Sequence, residues 1–90
     1  GRHHRVVTQS IYSSILKDER LDKSFSKQLS NSVFDALYDY SPREIKLMLS
    51  CAISKAARRC LGRPQVDIID ADLAMFNSAT LDKNPIRFVF

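Results

Sequence analysis

The sequence predicts an all-α domain of four helices, with one short extended segment before the last helix. Three observations lead there. Apolar residues recur at helical spacing in successive stretches, and Ser41-Pro42-Arg43-Glu44 forms a helix-start signature. The β-branched run Val66-Asp67-Ile68-Ile69 is long enough for one isolated strand only.

Gly1 to Arg5 reads as a helix lead-in or a tag remnant. His3 and His4 are adjacent, so on a helix they point about 100° apart and cannot clasp one metal. From Val6 to Lys17, the residues Val7, Ile11 and Ile15 recur every four positions with Leu16 alongside, which predicts a helix with one buried stripe. The charged run Lys17 to Arg20 ends it, and Leu21-Asp22 makes a short link. A second helical period follows in Phe25, Leu29, Val33, Leu37 and Tyr40, widened by Phe34 and Ala36.

The third helix opens at the sharpest signal in the chain. Ser41 can cap free backbone amides, Pro42 fits the first helical position, and Glu44 can reach back to close a capping box. The helix is expected to run to about Leu61. Ile45, Leu49, Ala52, Ile53, Ala56 and Cys60 line one face, with Lys46, Ser50, Ser54 and Arg58 on the other. The alanines suggest close approach to a neighbouring helix. Gly62 suits the left-handed position past the end, Arg58, Arg59 and Arg63 suit the negative end of the dipole, and Pro64 prevents continuation. After the extended Val66–Ile69, Asp70 is expected to cap a last helix through about Ser78 that presents Leu73, Ala74 and Phe76. Residues 6–78 therefore form the helical domain. The segment 79–90 ends on Arg87-Phe-Val-Phe90 and reads as an exit towards a following domain.

Ninety residues with 44% hydrophobic and 27% charged content describe an ordinary globular domain with a modest core, rather than a disordered chain. The longest uncharged stretch, Leu47 to Ser54, is far too short to span a bilayer, no signal-peptide pattern opens the chain, and a cytoplasmic setting is expected. The net charge of +4 is compatible with a nucleotide, nucleic acid or an acidic partner, and equally with a plain soluble surface.

Much chemistry is excluded. With glycine only at positions 1 and 62, neither a phosphate-cradling G-x-x-x-x-G-K-[ST] loop nor a dinucleotide fingerprint can be built. Cys51 and Cys60 on one helix are separated by about 13 Å of rise, too far for a disulfide. Cys60 is expected in the core and Cys51 nearer the surface. No serine has a nucleophile motif or a mid-chain histidine as base. Asp67, Asp70 and Asp72 read as a helix cap with solvated neighbours rather than as a metal site. Catalysis by this chain alone is not expected.

Arg43 is the residue that carries chemistry. It sits in the first turn of the third helix, away from the apolar stripe. A basic side chain there opposes the helix dipole at a cost of a few tenths of a kcal/mol, unless an anion compensates. A helix N-terminus favours an anion, and a guanidinium adds a planar fork suited to phosphate oxygens. The bland alternative is a solvated arginine or a pair with Glu44 or Asp39.

Tyr40-Ser-Pro-Arg-Glu-Ile-Lys-Leu-Met-Leu49 resembles the sensor-2 segment of the C-terminal lid subdomain of AAA+ ATPases. Ala52-Ile-Ser-Lys-Ala-Ala-Arg58 resembles its alanine-rich continuation, and Val66-Asp-Ile-Ile-Asp-Ala-Asp-Leu73 the lead into its final helix. The resemblance covers about Val6 to Ser78. The ending Pro85-Ile-Arg-Phe-Val-Phe90 is similar to the exit of Lon-type ATP-dependent proteases, although Ser41-Pro-Arg43 stands where that group carries Gly-Val-Arg. The resemblance implies a four-helix lid in which Arg43 senses the γ-phosphate of Mg-ATP, with Ser41, Pro42 and Glu44 supporting the helix start. It also implies that ATP is held mainly by a large AAA+ subdomain outside this chain, within a homo-oligomeric ring. Two other readings compete. One is a basic helix-turn-helix-like nucleic-acid-binding domain over Tyr38 to Ile53, less favoured because the outer face of the third helix is thin in base-reading side chains. The other is a protein-interaction bundle in which Arg43 has no special role.

Overall fold

The computed structural model describes residues 2–73, which form four helices: α1 (Arg2–Asp18), α2 (Asn31–Ala36), α3 (Pro42–Arg59) and α4 (Asp70–Leu73). They make a compact all-α domain with no β-sheet among the described residues. The expected residues Ala74 to Ser78 of the last helix, and the exit segment 79–90, lie outside the described residues. α3 is the central element and packs against both α1 and α4.

α1 begins at Arg2 rather than Val6, so the expected lead-in is helical. Contacts with α2 and with the turn that follows it explain the extension. The His4 ring sits 5.1 Å from that of Tyr38, and its Nε2 lies 3.0 Å from the Phe34 carbonyl. A carbonyl only accepts, so Nε2 carries the proton. Arg5 lies 4.8 Å over the Phe34 ring and donates to Asn31 Oδ1 at 2.9 Å. The inward stripe is Thr8, Tyr12, Ile15 and Leu16, all buried, whereas Val7 and Ile11, expected in it, are only half-buried at its edge, because positions four apart drift about 40° around a helix at each step. The helix closes in a Schellman turn, in which Leu21 N–H donates to Leu16 O at 2.7 Å and Arg20 N–H to Lys17 O at 3.2 Å. Arg20 takes the left-handed position at φ 59°.

The expected second helix is the largest departure. Phe25 and Leu29 are buried at four-residue spacing, yet neither is helical. Phe25 forms a parallel bridge with Val66, in which Ser26 N–H donates to Val66 O at 3.0 Å and Val66 N–H to Ser24 O at 2.9 Å. Backbone committed to that pairing cannot also enter a helix. Only Asn31–Ala36 is helical, capped by Ser30, whose side chain accepts from Val33 N–H.

α3 follows the expectation at its start. Glu44 Oε1 accepts from Ser41 N–H at 2.9 Å, and Ser41 Oγ accepts from Glu44 N–H at 3.3 Å, closing the capping box around Pro42. The helix ends at Arg59, two residues short of Leu61, and Gly62 follows at φ +85°. A side-chain Cβ at Gly62 would meet nothing within 4 Å, so the backbone angle alone asks for glycine. Ile45, Leu49, Ala52, Ile53, Ala56 and Cys60 are buried as expected, joined by Met48. Ser50 and Ser54, expected on the outer face, are buried at 5% and 9% exposure, while Lys46 and Arg58 remain exposed. A central helix flanked by neighbours on more than one side buries more than one stripe, and periodicity alone cannot show that.

The extended segment is present at Val66–Ile69, with Val66 and Ile68 buried. α4 is capped differently from expectation. Asp72, not Asp70, supplies the carboxylate, and it accepts from Ile69 N–H at 2.8 Å.

Candidate functional site

Arg43 occupies the second position of α3 and is exposed. Pro42 in the first turn fixes where α3 starts, and Ile45 and Leu49 anchor the opposite face in the core, so the turn that carries Arg43 is rigid. Glu44 does not pair with Arg43. Its carboxylate is turned back onto the Ser41 amide. Among the described residues Arg43 makes no hydrogen bond, and the ion pair found there joins Arg59 to Asp72. Lys46, one turn further on, is exposed as well.

The backbone contributes less to this site than a bare helix terminus would. Pro42 has no N–H, Glu44 N–H is taken by Ser41 Oγ, and Ile45 N–H donates to Ser41 O at 2.8 Å. Only the amide of Arg43 itself is left without a partner among the first-turn donors. The Glu44 carboxylate also already stands at the positive end of the dipole. An anion here would be held by the guanidinium rather than by a cradle of amides. That narrows the expectation that the helix N-terminus itself favours an anion, and it follows from the same capping box that the sequence announced.

A second polar cluster lies at the other end of α3. Arg59 Nε donates to Asp72 Oδ1 at 3.1 Å and Nη2 to Asp72 Oδ2 at 2.9 Å, a bidentate pair. Nη2 also donates to the Asp67 carbonyl. Asp72 is 1% exposed, which overturns its reading as a solvated neighbour. The sequence offered one clue to it, an acidic residue three positions into a helix just after a residue that cannot cap. Nothing in the sequence pairs it with Arg59.

A third cluster surrounds Tyr12, buried on α1, whose hydroxyl donates to Ser26 O. Ser26 Oγ in turn donates to the Asp67 carboxylate. Burial, and secondarily the charge of Asp67, push the Tyr12 phenol up to about 12. A depression of about 350 Å³ beside it is lined by Leu29, Ser30, Asp67 and Ile68 among others. A shallower one of about 730 Å³ lies between Lys23, Lys27 and Gln65. Arg43 lines neither of them.

Cys60 is buried and Cys51 half-buried, both with free thiols. Burial pushes the Cys51 thiol up against the opposing pull of Arg58, which leaves it a poor nucleophile. Among the described residues no three His, Cys, Asp or Glu side chains converge as a metal site would require. No helix there is long and apolar enough to cross a membrane.

No protein-family model, curated protein or solved structure matches the chain.

Proposed function

We propose that this domain is the lid of an AAA+ ATPase, closing over Mg-ATP held by a large subdomain of the same protein and sensing its γ-phosphate through Arg43. The observation that carries the reading is the state of Arg43. It is an exposed guanidinium in the first turn of a long, well-capped helix, and the carboxylate of Glu44, next to it in the sequence, is turned onto the Ser41 amide. The Glu44 carboxylate already offsets part of the helix dipole, so what this turn offers an external anion is the planar fork of Arg43 itself. The order of elements, with a short extended segment between the long third helix and the last one, is also that of such lids.

The mechanism is mechanical. A guanidinium that meets a phosphate in one nucleotide state and not in the other gives the two states different lid energies, and a lid can respond only to such a difference. The residues fit an anionic ligand, since Arg43 is exposed and not committed to a neighbour among the described residues. In a cytoplasmic homo-oligomeric ring, the same motion would alter contacts with neighbouring subunits and drive unfolding or proteolysis of a substrate.

Arg43→Ala in the intact ATPase is expected to lower ATP turnover at least tenfold, the loss of about 1.4 kcal/mol or more of transition-state stabilisation. The thermal melt of this domain should stay unchanged. Unaltered turnover would remove the assignment.

The nucleic-acid reading is disfavoured by α3 itself, which runs unbroken from Pro42 to Arg59. A helix-turn-helix needs a separate recognition helix there. Salt-dependent retention on a DNA duplex would restore it.

A further inference from the structure

We propose that Arg59 and Asp72 form a clamp that makes α3 and α4 a single lever, so that displacement at the Arg43 end of α3 is delivered to α4. α3 has 18 residues and is about 27 Å long, with Arg43 in its first turn and Arg59 as its last residue. The rod therefore carries the candidate sensor at one end and the clamp at the other.

The clamp holds by geometry as well as charge. Two parallel N–H donors of Arg59 meet the two carboxylate oxygens of Asp72 at 3.1 and 2.9 Å. A fork on a fork resists rotation in a way that one ammonium on a carboxylate does not. The same carboxylate caps α4 by accepting from Ile69 N–H at 2.8 Å, and Asp72 N–H donates back to Ile69 O at 2.9 Å. The first turn of α4 is thus built around the group that Arg59 holds. Lys55 adds a third link, donating to Ala71 O at 3.0 Å.

The arrangement behaves as a latch rather than a graded contact. The Asp72 side chain is 0% exposed, whereas that of Arg59 is 35% exposed. Without the guanidinium the Asp72 carboxylate keeps its bond from Ile69 N–H but loses its counter-charge, and a shift of α4 towards water relieves that cost. Arg59 is then a positioning residue whose loss loosens α4 without touching the apolar stripe of α3, leaving Leu73 as the anchor of α4 in the core. Transmission of nucleotide state through the clamp rests on the lid reading. The clamp itself does not.

The test is measurement of backbone N–H residual dipolar couplings on this chain without nucleotide. In the unsubstituted protein, the amides of α3 and of Asp70–Leu73 should fit one alignment tensor. In Arg59→Met, the couplings of Asp70–Leu73 should fall to roughly half or less while those of Leu49–Ala56 keep their values, as expected of a freed rigid element. Arg59→Lys, which keeps the charge and loses the fork, should fall between the two, and it decides the matter if Arg59→Met does not fold. Unchanged α4 couplings in the substituted chains would overturn the proposal, as would α4 couplings already averaged in the unsubstituted one. Because no nucleotide is present, either outcome leaves the Arg43 turnover experiment to stand or fall separately.

Discussion

Tyr12 shows how much one side chain can depend on its surroundings. Its ring is in the core, its hydroxyl donates to Ser26 O, and Asp67 stands beyond. The phenol is raised to about 12, against about 10 in an unfolded chain. The folded state therefore holds its proton more tightly. This stabilisation is fully present below about pH 10 and is lost as pH rises towards 12, because above 10 the unfolded chain binds fewer protons. Denaturant unfolding between pH 8 and 12 should show a decline on the order of 2 kcal/mol from this group. In Tyr12→Phe that part of the slope should vanish, after a loss of about 1 kcal/mol at neutral pH from the missing hydrogen bond. Parallel curves for the two proteins would show that the phenol titrates in the folded state much as it does in solvent. The pattern of α1 announced one buried stripe but centred it on Val7 and Ile11, which are half-buried, and passed over Tyr12. It could not announce Tyr12's partner, because Ser26 reaches it only through the Phe25–Val66 bridge.

At the scale of elements, ends decided more than middles. α3 starts where its capping box and proline say, since those interactions lie within four residues and need no tertiary support. α1 ends in a Schellman turn whose left-handed position is filled by Arg20 instead of glycine. An L-residue there costs about 1–2 kcal/mol relative to its preferred region, and glycine returns part of that gain through its freer unfolded chain. Arg20→Gly is accordingly expected to stabilise the domain by about 0.5–1 kcal/mol, raising the midpoint of a thermal melt by a few degrees. A lowered midpoint would mean that the Arg20 side chain contributes more than its backbone costs. The second helix failed for a related reason. Phe25 and Leu29 keep helical spacing, and burial alone satisfies that spacing, but the backbone on either side of Phe25, at Ser24 and Ser26, is bonded to Val66 some forty residues away, and Leu29 N–H donates to the Gln9 side chain.

For the whole molecule, the organising fact is that α3 is central. Its apolar stripe was readable from the sequence, and Leu49, Ala52, Ile53 and Ala56 are all fully buried in the structure. Leu49→Ala should cost about 3 kcal/mol, a large part of the roughly 5–10 kcal/mol expected for a domain of this size. Lys46→Ala, one turn away on the exposed side, should stay within about 0.5 kcal/mol. Urea midpoints would separate the two, and equal midpoints would contradict the placement of α3 at the centre. That position also buries Ser50 and Ser54, and it lets Arg59 reach α4. Neither consequence belongs to any local pattern.

The helical class, the start of α3, the left-handed Gly62, the extended segment before α4 and the place of Arg43 in the first turn of α3 away from the apolar stripe were all determined by the sequence alone. Each rests on interactions within a turn or two, where residue identity at fixed spacing leaves few alternatives. The irregular path from Leu21 to Ser30 and the burial of Asp72 with Arg59 were decided by the folded arrangement. Both depend on partners brought together across the chain, Val66 for the first and two helix ends thirteen residues apart for the second, and no local spacing specifies such partners.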